Sequence, residues 1–225
     1  VHGSRGLGDV YKRQVQMGEI VAGVERGMSE GAVGLSTGLD YIAECFSTTD
    51  ELVEACAAMA PQQGLYVTHV RYKKGTLEAV KEAVEIGQRA DVPVHISHFK
   101  GTTPQQIDEL LSYVDSVAVN EVDFSFDVYP YLPGSTMLNY MLPYEVWEDG
   151  PLGVISKLTD PAVRSRFARV IDRYEVDLDH IYIAWLPGRE NARFIGQALG
   201  SYVKETGKAP VDALCDLLIL SLIHI

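Results

Sequence analysis

Between Ala32 and Tyr129 the sequence alternates short β-prone runs with amphipathic helical stretches in an unbroken β-α-β-α-β-α-β order, and this order most restricts the fold. Strands joined by single helical crossovers run parallel and the crossovers are right-handed, so the chain must build a parallel sheet with helices laid against it. The first strand is the small apolar run AVGLST, around residues 34–37, preceded by an amphipathic stretch over 17–28. Thr48 with Glu51 three residues on predicts a capping box, opening a helix to about Met59. LYVTH, residues 65–69, reads as the second strand. Leu77, Val80, Val84 and Gly87 form one stripe of a helix over 76–90, and PVHISH, residues 93–98, is the third strand. Thr103, Pro104 and Gln106 supply an N-cap, an N1 proline and a capping-box partner for a helix buried through Ile107, Leu110, Leu111 and Val114. Val122, Phe124, Phe126 and Val128 then alternate with Asp123, Ser125, Asp127 and Tyr129, a strand with one apolar and one polar face. Periodicity leaves two architectures open, a doubly wound open sheet and an arc of a barrel.

Beyond Pro130 the chain is looser. The pattern predicts a Gly/Pro-containing stretch through Gly153, a helix from Asp160-Pro161 to about Tyr174, a strand over 180–185, and helical segments over 197–205 and 210–218. No repeat, low-complexity tract or linker divides it. A net charge of −12 without a Lys/Arg stripe argues against nucleic acid as a partner. The three cysteines, Cys45, Cys56 and Cys215, have no C-x-x-C spacing, so neither a disulfide framework nor a zinc knot is signalled and a reducing, cytoplasmic setting is expected. No P-loop, G-x-S-x-G elbow or G-x-G-x-x-G is present.

The 225 residues fall a little short of the ~250 of a complete (β/α)8 barrel, and the two ends explain part of that length. DVYKRQ, residues 9–14, can be encoded as GAT GTG TAT AAG AGA CAG, whose reverse complement translates as LSLIHI, residues 220–225. The string resembles the transposon end used to fragment DNA for sequencing libraries, and SRGLG (residues 4–8) resembles the translated primer before it. Residues 1–14 and 220–225 are therefore expected to be adapter-derived, leaving 15–219 as a native segment, a partial barrel domain cut from a longer gene. Leaving out Arg5, Asp9, Lys12 and Arg13 takes the net charge from −12 to −14. His2 and His224 then carry no chemistry, and the apolar tail is too short to span a membrane.

His69 and His98 stand at the ends of consecutive strands, one β-α repeat apart. In a parallel barrel both meet at the C-terminal rim, where functional residues collect. By alternation Leu65, Val67 and His69 share one face, as do Val94, Ile96 and His98, so both imidazoles can point with the inner residues. Two neutral imidazoles there suit Zn2+ at ~2.0–2.1 Å; the plain alternative is two hydrogen-bonded structural histidines. His95 has opposite parity and is expected to face the helices in a structural role, and His180 opens a strand at the wrong end for the rim. Lys100, two residues past His98, could hold a substrate carboxylate, and Arg71, two past His69, shares that ambiguity. The DVYPY run, residues 127–131, followed by Ser135, places phenol and hydroxyl donors after a strand on a proline-stiffened loop.

Taken together, GAVGLSTGLDY (residues 31–41), YVTHVR (66–71), VPVHISHFK (92–100) and DVYPY (127–131) resemble the N-acyl-D-amino-acid deacylases, or D-aminoacylases, of the amidohydrolase superfamily. The resemblance covers nearly all of 15–219 and implies an α/β fold, a partial (β/α)8 TIM-type barrel of the metal-dependent amidohydrolase type. It implies that His69 and His98 ligate one tightly bound Zn2+ together with an upstream cysteine, a role that neither Cys45 nor Cys56 matches. It also implies that Lys100, Tyr131 and Ser135 contact the substrate carboxylate, with Tyr41 near the pocket. The general acid/base aspartate and a first-strand histidine pair fall outside the segment, so the fragment itself is expected to be inactive. The implied activity of the full-length parent is zinc-assisted hydrolysis of a small-molecule N-acyl-D-amino acid, with neither nucleic acid nor membrane as partner. A dihydroorotase- or hydantoinase-like cyclic amide hydrolase, and a non-catalytic α/β binding module, are the competing readings.

Overall fold

Four parallel strands pair in sequence order: β1 (Gly34–Gly38), β2 (Leu65–His69), β3 (Val94–Ile96) and β4 (Phe124–Phe126). The computed structural model describes residues 7–42, 44–173 and 177–223; His2 and His224 lie outside the described residues. These divide into two units, one up to Gly134 that holds the sheet and one from Ser135 onward.

In the first unit, α1 (Leu7–Ser29) precedes β1 and is longer than the stretch expected over 17–28. The capping box at Thr48 forms as predicted: its hydroxyl accepts from Glu51 N–H at 3.3 Å while Glu51 Oε2 accepts from Thr48 N–H at 2.8 Å, opening α2 (Thr49–Ala57). Helix α3 (Thr76–Ala90) lies where the apolar stripe placed it, burying Ala79, Val80, Ala83, Val84, Ile86, Gly87 and Ala90. Thr103 caps α4 (Pro104–Tyr113), but Gln106 turns its side chain to Thr102 N–H rather than completing a box with Thr103. The helix continues through a π turn, Val114–Ala118, into the short α5 (Val119–Glu121).

The core lies between the sheet and the helices. Tyr66, Val94 and Ile96 are completely buried there with Met59, Val80, Ile86 and Leu110, each large side chain contributing roughly 1.5–3 kcal/mol through removal from water. The Tyr66 hydroxyl meets Thr37 Oγ1 at 3.0 Å, and Thr37 Oγ1 donates to Thr68 Oγ1 at 2.8 Å, so the polar atoms carried into this layer satisfy one another. Strands β3 and β4 are shorter than the predicted runs, each three residues long.

The second unit contains α6 (Gly150–Thr159), α7 (Pro161–Arg173), α8 (Leu199–Thr206) and α9 (Pro210–Ile223). Val154, Leu158, Phe167, Leu214 and Leu217 are buried, and Arg164 reaches from α7 to Asp212 at 2.8 Å and Asp216 at 2.7 Å on α9. The strand expected over 180–185 does not form: a single antiparallel bridge joins Tyr182 to Ala198, and His180 ends an exposed 3-10 turn paired with Asp177. Tyr174, the expected end of α7, lies outside the described residues. No described helix is long and apolar enough to cross a membrane.

Candidate active site

Parallel pairing brings the ends of all four strands to one rim. Gly38 and His69 are register partners, so Asp40, two residues past β1, stands beside the end of β2. His69 is the last residue of β2, His98 follows β3 by two residues, and Asp127 follows β4 by one.

Nδ1 of His69 lies 3.2 Å from Nε2 of His98. On the other edge of the His69 ring, Nε2 is 3.2 Å from Oδ2 of Asp40, whose side chain is wholly buried and whose Oδ1 accepts from Lys73 N–H at 3.3 Å. A carboxylate accepts from Nε2–H, which leaves the Nδ1 lone pair of His69 facing His98, the arrangement that prepares a histidine for a metal. Two nitrogens ~2.0–2.1 Å from a tetrahedral zinc stand about 3.3 Å apart, close to the span seen here. Nδ1 of His98, on the edge of the ring away from His69, is buried with no hydrogen-bond partner among the described residues. Burial holds the His98 ring below the ordinary histidine pKa, helped by His69 and Lys100, which favours the neutral form that ligates. The pair thus fits a metal as two ligands, although among the described residues no three His, Cys, Asp or Glu side chains are placed to share one ion.

How His98 reaches His69 corrects the expected parity. Register sets Val94 beside Tyr66 and Phe124, all on the helix-facing side, and His95 beside Val67 and Ser125 on the opposite side, which His69 shares. Strict alternation would send His98 into the helix layer. The strand ends at Ile96 instead, and the backbone turns left-handed at His98 (φ 46°), a conformation that costs an L-residue about 1–2 kcal/mol. Phe99, not His98, then makes the ladder bond to Asp127 O at 2.8 Å and returns its ring to the core, stacked on Phe126 at 4.5 Å. His98 is the inserted residue of a bulge, and the bulge re-aims it. His95, expected against the helices, lies on the open face with Nδ1 2.9 Å from Ser125 Oγ and Nε2 3.0 Å from Asp127 Oδ2.

The expected substrate-binding residues divide. The ring of Tyr41 packs 4.8 Å from that of His69. Lys100 sets its Nζ 4.8 Å above the ring of Tyr72, whose hydroxyl donates to His98 O at 3.1 Å, so this cation stands beside the histidines. Tyr131 is 71% exposed past β4, and Ser135 begins the second unit. Arg71 is turned inward instead: only 1% exposed, it pairs with Glu82 at 2.9 Å and donates to the carbonyls of Cys45 and Ser47. Its guanidinium anchors the loop after β1 and does not face the rim, because two backbone carbonyls and a carboxylate claim it from within.

Sequence reasoning passed over Asp40, Asp127 and Tyr72. A signal existed for the carboxylates, since Asp40 follows the first expected strand and Asp127 lies near the C-terminal end of the fourth, as the histidines do in theirs. Asp127 is held below the usual carboxylate range by its bonds from His95 and from His98 N–H.

No family model matches the chain. A D-aminoacylase from Alcaligenes xylosoxydans xylosoxydans is 37% identical over 118 residues, 51% of this chain and 24% of that protein. The N-acyl-D-glutamate deacylase of the same organism is 31% identical over 115 residues, 49% of this chain and 24% of its own length. The chain therefore spans about a quarter of the curated relatives it matches. In structure it is similar to a crystal structure of D-aminoacylase described as defining a novel subset of amidohydrolases, with a TM-score of 0.67, 26% identity, and coverage of 91% of this chain and 36% of that one. An N-acyl-D-glutamate deacylase from Bordetella bronchiseptica, complexed with zinc and a phosphonate mimic of the tetrahedral intermediate, shares the fold at a TM-score of 0.68 and 23% identity, over 90% of this chain and 36% of that one. The four-stranded parallel sheet is accordingly an arc of a TIM-type barrel like that of D-aminoacylase, and in sequence and structure the chain is similar to D-aminoacylase and N-acyl-D-glutamate deacylase.

Proposed function

We propose that this chain supplies two zinc ligands, His69 and His98, to an enzyme that hydrolyses the amide bond of N-acyl-D-amino acids. The observation that carries the reading is the 3.2 Å approach of His69 Nδ1 to His98 Nε2 with buried Asp40 behind His69. When bound, zinc lowers the pKa of a coordinated water toward ~7 and polarises the acyl carbonyl. Asp40 fixes the His69 tautomer, and Tyr41 and Tyr72 wall the His69 ring on two sides, 4.8 and 5.3 Å away, limiting water there. Lys100 offers its ammonium to the substrate carboxylate, with Tyr131 donating its hydroxyl. In a chain of net charge −12 a cation at this rim also draws in an anionic substrate.

The three buried, unbridged cysteines support a reducing compartment, and we place the protein in the cytoplasm, acting on a small molecule rather than on nucleic acid or membrane. Residues 1–14 and 220–225 are proposed to be adapter-derived flanks of the barrel segment. The test is made in the full-length protein. His69→Ala and His98→Ala should each remove zinc and abolish deacylation of N-acetyl-D-amino acids. Unchanged zinc content and activity in both would leave a non-catalytic α/β module.

A further inference from the structure

We propose that Asp127 is a positioning residue for the metal centre, its carboxylate fixing the left-handed bulge that presents the His98 ring to His69. The inference rests on the reading of His69 and His98 as metal ligands. Asp127 brackets residue 98 on every side. Its N–H donates to Ile96 O at 3.1 Å, its carbonyl accepts from Phe99 N–H at 2.8 Å, and its Oδ1 accepts from His98 N–H at 2.6 Å. In a bulge the inserted residue loses its ladder partner, and here the side chain of Asp127 replaces the backbone acceptor that Phe99 has taken. Without that acceptor His98 N–H would have no partner at a strained φ, and residues 97–99 would gain by relaxing toward regular pairing, which returns the imidazole toward the helix layer.

The carboxylate is itself aimed. Oδ2 accepts from His95 Nε2, and the opposite ring nitrogen of His95 meets Ser125 Oγ. Ser125, His95 and Asp127 thus form a hydrogen-bonded chain on the open face of β3 and β4, ending at the backbone of a ligand. This gives His95 a part in the centre without contact to the ion. Histidines that ligate metals depend on groups that hold them, and loss of such a group typically weakens metal binding 10–100-fold.

The experiment uses the isotopically labelled full-length protein and its variants Asp127→Ala, Asp127→Asn and His95→Gln. Metal-free, the His98 amide shift, its solvent exchange, and the Cα and Cβ shifts that report positive φ are followed by NMR. Zn2+ alone is then titrated while the His69 and His98 ring signals are watched. Asp127→Ala should lose the hydrogen-bonded His98 amide signature and the left-handed shifts, and weaken Zn2+ binding about 10–100-fold, while the Tyr66 and Ile96 amides stay protected. Asn retains an oxygen acceptor for His98 N–H and should recover most of both. Wild-type His98 signals and Zn2+ affinity in the Ala variant would overturn the proposal, as would an Asn variant no better than Ala. Should Ala fail to fold, Asn and His95→Gln decide it on the same readouts, near-wild-type behaviour supporting the role for Asn and opposing it for His95→Gln. A wild-type chain whose histidine signals ignore Zn2+ would defeat the ligand reading, and the metal-free amide comparison would still decide the part played by Asp127.

Discussion

Oδ2 of Asp40 lies 3.2 Å from Nε2 of His69 although the two residues are 29 positions apart, one carried past the end of β1 and the other closing β2. The bond selects the tautomer in which Nδ1 carries no proton and turns its lone pair toward His98. Asp40→Ala should therefore weaken Zn2+ binding about 10–100-fold, read by competition with a chromogenic chelator. Asp40→Asn keeps an oxygen for Nε2–H and should lose less. Equal affinities in the wild type and the Ala variant would mean that Asp40 does not orient the ring.

Acid should destabilise the first unit through His98. Burial lowers its pKa from the ordinary 6.5, so below that pH the unfolded chain binds a proton that the folded chain resists. Stability is full above about 6.5 and declines as pH falls through that value toward the lower folded pKa. Melting curves between about pH 8 and pH 5 should show Tm dropping below about 6.5, and His98→Asn should flatten the part of the fall that this ring contributes.

Arg71 is expected to matter for stability and not for substrate affinity. Removing one partner of a buried ion pair costs about 3–5 kcal/mol, and Arg71→Ala also strands the carbonyls of Cys45 and Ser47. Urea unfolding should show a loss near that range. Arg71→Lys should restore only part, because a single ammonium cannot reproduce the fork that meets Glu82 and both carbonyls.

Gly87 sits mid-helix in α3, where alanine would ordinarily gain about 1 kcal/mol. Here a Cβ would collide with Val94 Cγ2 and come within 3.1 Å of Val92 O. Overpacking costs about 1–3 kcal/mol, so Gly87→Ala should lower Tm, whereas an alanine at Gly23, which has open space around it, should not.

The order of strands and helices in the first unit was legible because each element carries its own signal: the capping box at Thr48, the apolar stripe of α3, the β-rich LYVTH. The rim was legible only in part. Alternation in VPVHISH continues past the point where regular pairing stops, so the sequence conceals the bulge, and with it the true faces of His95 and His98. Asp40 and Asp127 escaped notice because their partners lie one β-α repeat away, and only the register of β1 with β2 and of β3 with β4 brings them together. The run after His180 has strand-like composition, but its pairing stops within a residue of the bridge at Tyr182, where Ile181 and Ile183 exchange backbone hydrogen bonds with residues 196–199.

The left-handed backbone at His98 also narrows what any protein engineer could place there. Among residues with side chains, asparagine, aspartate and histidine tolerate positive φ best, and β-branched residues tolerate it worst. Exchanging His98 for cysteine or glutamate to court a different ion would thus meet a conformational toll before coordination chemistry was tested. Of the tolerant side chains, only aspartate and asparagine could replace the imidazole with an oxygen donor, so attempts to retune the metal preference of this rim have more freedom at position 69, which lies in ordinary extended strand, than at position 98.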